Sequence, residues 1–383
     1  MSTLIPHEAA RAAQAIYKIL DPVLLYKQFP QSLNDNFNLV GGTKMNGIAG
    51  GHILQSTTGF ALAARGKSMA CNDEALLVIR GTKQGCDFFT DVRAIPVQPN
   101  GTNVHAGFNG VFRSLEAQLA AFFSHGYHPN CVHIVGHSLG GAIGTLAADW
   151  IKTHSKATEV KLYTFGCPRV GMARFADTFT NGIGANNIFR VYGPTDLVPM
   201  VPTWPYIHVP LTGMGSYASN HLTWSPVSIT AHFMDNYVNS VAGESWESLY
   251  KPQVRWDCDL DMRYWLAKQE WIGLTGFGLR MINSALAFIL KTIMSATGSV
   301  FVADGHGAEN LIDRLAMYLN KGAQTSKEVS GYVASLMRNI LSALGIIANA
   351  PKDLTAAFIR WVFQRLSASL NFMAMMAIRG SYY

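Results

Sequence analysis

The segment Val132-His133-Ile134-Val135-Gly136-His137-Ser138-Leu139-Gly140-Gly141-Ala142 constrains this chain more than any other. A β-branched, apolar run enters Gly-x-Ser-x-Gly, and a helix-forming stretch follows. The pattern predicts a buried strand, a sharp turn at Ser138 and a helix. Such a turn is strained and brings strand and helix so close that the residues beside the serine must be tiny. The serine then projects its Oγ past the end of the strand. The helix from Leu139 aims its N-terminus at the same point, which favours a developing negative charge. That is the setting of a nucleophile. A plain glycine-rich turn into a helix would show the same letters, so the surrounding sequence has to decide.

Around it, Ala75–Ile79, Val132–Val135, Val160–Phe165 and Ile188–Tyr192 read as buried strands, with Tyr206–Val209 as a shorter candidate. Leu115–Ser124, Leu139–His154 and Met172–Asn181 read as helices between them. This alternation predicts an α/β fold: a mainly parallel sheet covered on both faces, with right-handed crossovers. Residues 34–67 are richer in Gly, Thr and Asn and predict an antiparallel hairpin with Phe60–Ala64 as one strand. At the N-terminus, Ala12, Ile16, Ile19 and Leu20 fall near helical spacing, with Asp21-Pro22 as the stop. The same stretch lacks the basic region and continuous apolar core of a signal peptide. The chain is therefore expected to be made in the cytoplasm. It would leave by a route other than a cleaved N-terminal signal, or work at the periphery of a membrane.

The texture changes after residue 254, so the sequence divides into 1–254 and a helical, apolar region 255–383. Helices are expected at about 262–271, 276–296, 307–347 with a break near Gly322, and 352–377. Met281–Leu290 is nearly free of polar groups but shorter than the ~20 residues that span a bilayer. In the last helix, Phe358, Ile359, Val362, Phe363, Leu366 and Leu370 share a face that Arg360 and Arg365 avoid, which is amphipathic patterning. This region reads either as ordinary core packing of a helical cap or as a surface for a membrane, an inhibitor or a delivery protein.

Charge narrows the partners. Lys and Arg number 30 against 24 Asp and Glu, a net charge of +6, and most of the excess lies after residue 254. No block of like charges marks a nucleic-acid tail. The mild positive bias suits an anionic membrane surface. Cys71, Cys86, Cys131, Cys167 and Cys258 form no CxxC pair and no disulfide framework, which points to folding in a reducing compartment. Cys131 and Cys167 sit in or beside apolar runs and read as small core residues. Asp257, Asp259 and Asp261 lack the glycine and distal glutamate of a calcium loop and read as a solvated linker. No metal or organic cofactor is expected.

A serine nucleophile needs a base, and the base needs an orienting acid. In a fold of this kind the chain order is serine, acid, histidine. Asp196 lies just past the strand ending at Tyr192, where catalytic groups gather in open α/β sheets. Asp149 and Asp177 fall inside expected helices. Of the histidines that follow Asp196, His208, His221 and His232 are the candidates for the base. Spacing alone does not choose among them.

Several blocks in order resemble the class 3, fungal-type lipase family. They are Ile79-Arg80-Gly81-Thr82 with Asp91, His105-Ala106-Gly107-Phe108, Gly136 to Ala142, Thr164-Phe165-Gly166-Cys167-Pro168-Arg169-Val170-Gly171, Asp196-Leu197-Val198-Pro199 and Ala231-His232. Together they cover about residues 75–240 and are far more specific than any one block. The resemblance implies an α/β-hydrolase fold and lipid ester substrates, phospholipid or acylglycerol. It implies Ser138, Asp196 and His232 as the catalytic residues, and backbone donors at Thr82 and Leu139 as the oxyanion hole. It gives Arg80, Asp91, His105 and Arg169 structural roles. The segment after Thr82, where the family carries its lid, is short here and holds only Phe88 and Phe89 as large apolar residues. A lipase domain with helical C-terminal extension and no signal peptide also resembles bacterial lipase effectors. The competing readings are an inactive hydrolase fold that binds membranes or partners, or forms pores, through its C-terminal helices, and a peptidase on the same fold.

Overall fold

A computed structural model describes residues 3–49, 56–81, 96–98, 101–124, 126–211, 216–218, 227–250, 259–267, 273–299, 301, 311–346 and 353–380. Nine strands run through them: β1 Thr43–Ala49, β2 Ser56–Arg65, β3 Glu74–Ile79, β4 Pro96–Val97, β5 Val104–His105, β6 Cys131–His137, β7 Glu159–Phe165, β8 Ile188–Tyr192 and β9 Ser216–Ala218. Seven form one sheet in the order β1-β2-β3-β6-β7-β8-β9, and β4 pairs with β5 separately. Within that sheet β1, β2 and β3 are antiparallel neighbours, and β3, β6, β7, β8 and β9 run parallel. Every residue of β6 is buried, as expected of a parallel strand with helices on both faces.

Register decides where chemistry can gather. Ile79 pairs with Gly136, His137 with Phe165, and Phe165 with Val191. The C-terminal ends of β3, β6, β7 and β8 therefore line up, and the chain leaves all four strands at one edge. This is the edge at which open α/β sheets place their ligands.

Two hydrophobic clusters cover the faces. Helices Pro6–Ala15, Pro22–Gln28 and Gln31–Asn36 from the N-terminus join Met234–Ser240 and Trp246–Leu249 on one face. Helices Ala106–Phe122, Leu139–His154 and Ala173–Ile183 cover the other. The C-terminal helices Gly276–Thr297, Leu311–Ala323, Lys327–Ala343 and Ala356–Gly380 extend that second cluster without a break in packing.

Four expectations change. Tyr206–Val209 is not a strand: Ile207 makes a single bridge to Gly171, and Pro205 and Pro210, which lack ladder donors, flank it. Asp21-Pro22 ends one helix but also starts the next. The Asp21 carboxylate accepts the Leu24 N–H, and Pro22 occupies a first-turn site where no N–H is needed. The helix expected from Leu115 begins nine residues earlier, at Ala106. The break near Gly322 falls at Gln324–Ser326, where the Ser326 hydroxyl caps the next helix. Gly322 itself stays helical because Ile293 packs against it; a Cβ there would stand 2.3 Å from Ile293 Cδ1.

The apolar Met281–Leu290 stretch belongs to a longer helix, Gly276–Thr297, of 22 residues. By length and composition it could cross a membrane, yet just over half of its most apolar window, 56%, is buried inside the fold. Its Leu279, Ile282, Leu286, Ile289 and Ile293 are spent on the core.

Candidate active site

Ser138 stands between β6 and the helix Leu139–His154 with φ 57° and ψ −130°. Only two non-glycine residues among those described have positive φ, and Ser138 is one. Such a conformation costs on the order of 1–3 kcal/mol and needs its surroundings to hold it. The Ser138 N–H donates to the Phe165 carbonyl at 2.9 Å, and the Ser138 carbonyl accepts from Gly141 N–H at 2.9 Å. The flanking glycines are required by contact. A Cβ on Gly136 would stand 2.3 Å from the Gly140 carbonyl oxygen, and one on Gly140 would stand 2.2 Å from that of Ile79. The turn is thus wedged against the end of β3.

His232 Nε2 lies 2.8 Å from Ser138 Oγ, and His232 Nδ1 lies 2.8 Å from Asp196 Oδ2. The three side chains are 94 and 36 residues apart in sequence and all are buried. Asp196 is fixed by two further donors. The Val198 N–H reaches Oδ1 at 2.9 Å, and the Tyr237 hydroxyl donates to Oδ2 at 2.6 Å. Burial and the adjoining Asp196 carboxylate push the Tyr237 phenol well above its ordinary range, so it stays a donor. Serine, imidazole and carboxylate in this chain can pass a proton from Oγ to Nε2 while the carboxylate holds the other nitrogen protonated.

A second layer of contacts escaped the sequence reading. The rings of His137 and His232 stack with centroids 4.7 Å apart. Burial, and then the neighbouring His232, hold His137 well below the ordinary imidazole range, so it is neutral. The His232 carbonyl can only accept, so His137 Nε2–H donates to it at 2.9 Å. His137 Nδ1 is then left to accept from the Tyr17 hydroxyl at 2.7 Å, and that oxygen accepts from Gly81 N–H at 3.2 Å. The N-terminal segment is thereby bonded to the backbone that precedes Thr82 and, through His137, to the backbone of His232. Its sequence signal was weak: one tyrosine, 120 residues before its partner.

The other expected residues fall as follows. Leu139 is the first residue of the helix that Ser138 caps. Thr82, Asp91, His221, Asp257 and the segment 83–90 lie outside the described residues. His208 is turned to the Pro199 carbonyl, 2.7 Å from its Nε2. Asp177 sits in the Ala173–Ile183 helix and Asp149 in Leu139–His154. Arg169 ties down the chain after Asp196, with Nη1 donating to the carbonyls of Met200 at 2.5 Å and Pro202 at 2.8 Å. His105 packs on Phe108 and Tyr206. Cys131 and Cys167 are buried, and burial raises both thiols to about 12. Among the described residues no group of three His, Cys, Asp or Glu could hold a metal ion.

Gly166 lies under the His232–Asp196 contact with φ 56°. A Cβ there would stand 3.0 Å from Asp196 Oδ2 and 3.1 Å from His232 Nδ1. In Gly166→Ala the methyl must displace one or both groups. The expected outcome is a fall in kcat of about 100-fold for ester hydrolysis, since displacements near 1 Å cost that much. Steady-state kinetics checks it; an unchanged kcat refutes this reading of the turn.

The buried His137 and the partly buried His208, both held neutral, also set a pH dependence. Burial lowers His137, and burial followed by the charges of Arg190 and Arg169 lowers His208, each well below 6.5. The unfolded chain then binds protons that the folded chain refuses. Their contribution is complete above pH ~6.5 and is lost as the pH falls below it, by up to about 1.4 kcal/mol per pH unit for each histidine. Thermal melting between pH 8 and pH 5 is expected to show a plateau and then a falling Tm. A Tm that rises as the pH drops through 6 contradicts it.

Residues 76–206 match the family model described as lipase (class 3). A secreted mono- and diacylglycerol lipase 1 of Fusarium solani is 36% identical over 105 residues, covering 27% of this chain and 30% of that protein. The toxin TseL of Vibrio cholerae is 34% identical over 118 residues, covering 30% of this chain and 18% of the toxin. The chloroplastic phospholipase A(1) DAD1 of Arabidopsis thaliana is 31% identical over 152 residues, covering 34% of each. Each match spans about a third or less of the relative's length. With the strained turn at Ser138 and the aligned strand ends of a mainly parallel sheet, residues 76–206 of this chain are similar to the class 3 lipases.

Proposed function

We propose that the protein is a serine hydrolase that cleaves carboxylic ester bonds of lipids, phospholipid or acylglycerol, through an acyl-enzyme. The hydrogen-bonded chain Ser138–His232–Asp196 carries the reading. His232 Nε2 takes the Oγ proton as Ser138 attacks the ester carbonyl. Asp196 keeps the imidazole in the tautomer that can accept, and then steadies the imidazolium. The Leu139 N–H at the helix N-terminus and the Thr82 N–H are the proposed oxyanion donors; such a donor is worth on the order of 100-fold in rate. His232 returns the proton to the departing alcohol oxygen. Water repeats the cycle on the acyl-enzyme.

Two of the named relatives are a mono- and diacylglycerol lipase and a phospholipase A(1), which supports a lipid ester rather than a peptide bond. Two are called secreted or a toxin, which supports work outside the cell that makes the protein. The test couples two readouts. A fluorophosphonate probe should label Ser138, and purified protein mixed with membrane lipids should release fatty acid and leave a lysophospholipid or partial glyceride whose position names the bond cut. No label together with an unchanged lipid profile would favour an inactive hydrolase fold that binds membranes or partners.

A further inference from the structure

The last helix, Ala356–Gly380, packs one face inward through Ile359, Val362, Phe363, Leu366, Leu370, Ala374 and Ala377. Its opposite face is a continuous exposed row: Trp361, Arg365, Ala368, Phe372, Met376 and Arg379, spaced by three or four residues. Phe372 is 58% exposed, Met376 39% and Trp361 38%. Large apolar side chains left so open along one helix are not explained by folding, because burying them would have been favourable. The row runs for roughly 27 Å at 1.5 Å per residue.

Its charge has one sign. The helix holds Arg360, Arg365 and Arg379 and no aspartate or glutamate. Arg360 faces Asp313 on a neighbouring helix, which leaves Arg365 and Arg379 on the exposed row. The Arg365 guanidinium sits 5.6 Å from the centre of the Trp361 ring, an aromatic body beside a cationic tip.

The row also ends at the catalytic loop. A Cβ on Gly380 would stand 3.3 Å from Phe233 Cζ and 3.5 Å from Ile229 Cγ2, so the helix end lies against the residue that follows His232 and one three residues before it. Ile229 is itself 40% exposed and continues the apolar row to within three residues of the base.

We infer that this face docks the enzyme on an anionic phospholipid bilayer, with Trp361, Phe372, Met376 and Ile229 dipping into the headgroup boundary and Arg365 and Arg379 on lipid phosphates. An amphipathic helix with basic residues and aromatics lies in the interface in this way. A second copy of the chain is a poorer occupant, because the row offers no aspartate or glutamate to pair with the other copy's Arg365 and Arg379. The proposal takes from the hydrolase reading only its sense of direction: docking here would bring the edge bearing Ser138 to the lipid.

The experiment measures binding without turnover, so the two readings fail separately. Full-length Ser138→Ala protein is floated with vesicles of phosphatidylcholine alone or with 30% phosphatidylserine. Partition should be stronger on the anionic vesicles. Arg365→Gln/Arg379→Gln in the same background should weaken it at least tenfold, since each basic residue near such a surface contributes about fivefold. Phe372→Ser/Met376→Ser should weaken it on both vesicle types. In the active chain, both pairs should leave hydrolysis of a water-soluble short ester unchanged while vesicle lipid hydrolysis falls. Equal partition of parent and both variants overturns the inference. So does a dimer that only the parent forms, or binding that is lost with Leu20→Ser/Val23→Ser, an exposed apolar pair on the N-terminal segment, and kept with the last-helix variants.

Discussion

Ser138→Ala is expected to lower kcat for ester hydrolysis by 10⁴-fold or more while leaving the fold in place. The size follows from what remains: without Oγ no acyl-enzyme forms, and only the oxyanion donors and binding act on the ester, which leaves a small residual rate over water. The fold survives because the turn is held by backbone groups. Ser138 N–H donates to Phe165, and its carbonyl accepts from Gly141, and alanine keeps both. Alanine occupies the same positive φ with the same Cβ. Turnover of a p-nitrophenyl ester at near parental rate by a cleanly folded variant would remove Ser138 from the mechanism.

Asp196→Asn should be nearly as damaging, by a different route. In the native site both carboxylate oxygens only accept: Oδ1 from Val198 N–H, Oδ2 from Tyr237 and from His232 Nδ1–H. An asparagine must put its NH₂ on one side. Placed at Oδ2 it faces two donors, so His232 is driven to the tautomer that carries its proton on Nε2 and cannot take one from Ser138. The Asp-to-Asn change in a related proton chain costs about 10⁴-fold for that reason. Flipped, the NH₂ meets the Val198 N–H and leaves a buried donor unpaired at about 1–3 kcal/mol. Both outcomes are measurable: kcat falls about 10⁴-fold and Tm drops by several degrees. A variant that keeps kcat within tenfold shows that Asp196 does not orient the base.

Tyr237 makes the Asp196 site more than a pair, and it explains a feature of the sequence. After His232 come Phe233 and a helix starting at Met234, so the aromatic that reaches the acid arrives one turn into that helix. Its hydroxyl also accepts the Gly193 N–H at 3.0 Å, tying the start of the acid loop to the helix behind the base.

The sequence carried the parts of this site whose reasons are local. Gly136 and Gly140 are forced by backbone contacts under 2.5 Å, so the nucleophile turn must look the same wherever it occurs and can be read from eleven letters. Strand β8 and the helix Leu139–His154 begin and end where their apolar patterns do. Asp196 was legible because it follows a buried strand directly.

What is not local was left open. Nothing near His208 or His232 in sequence says which faces Ser138, because that depends on 94 residues of intervening chain folding back to the aligned strand ends. The structure turns His208 to Pro199 and brings His232 to Ser138. Tyr17 and His137 became part of the site only through packing of the N-terminal helices across the sheet. The last helix shows the same division. Its sequence determined an amphipathic helix, with Phe358, Ile359, Val362, Phe363, Leu366 and Leu370 on one face and Arg365 off it. Only the tertiary structure decided that a second row, Trp361 to Arg379, stays exposed and ends beside His232, because burial is a property of what packs alongside a helix and not of the helix itself.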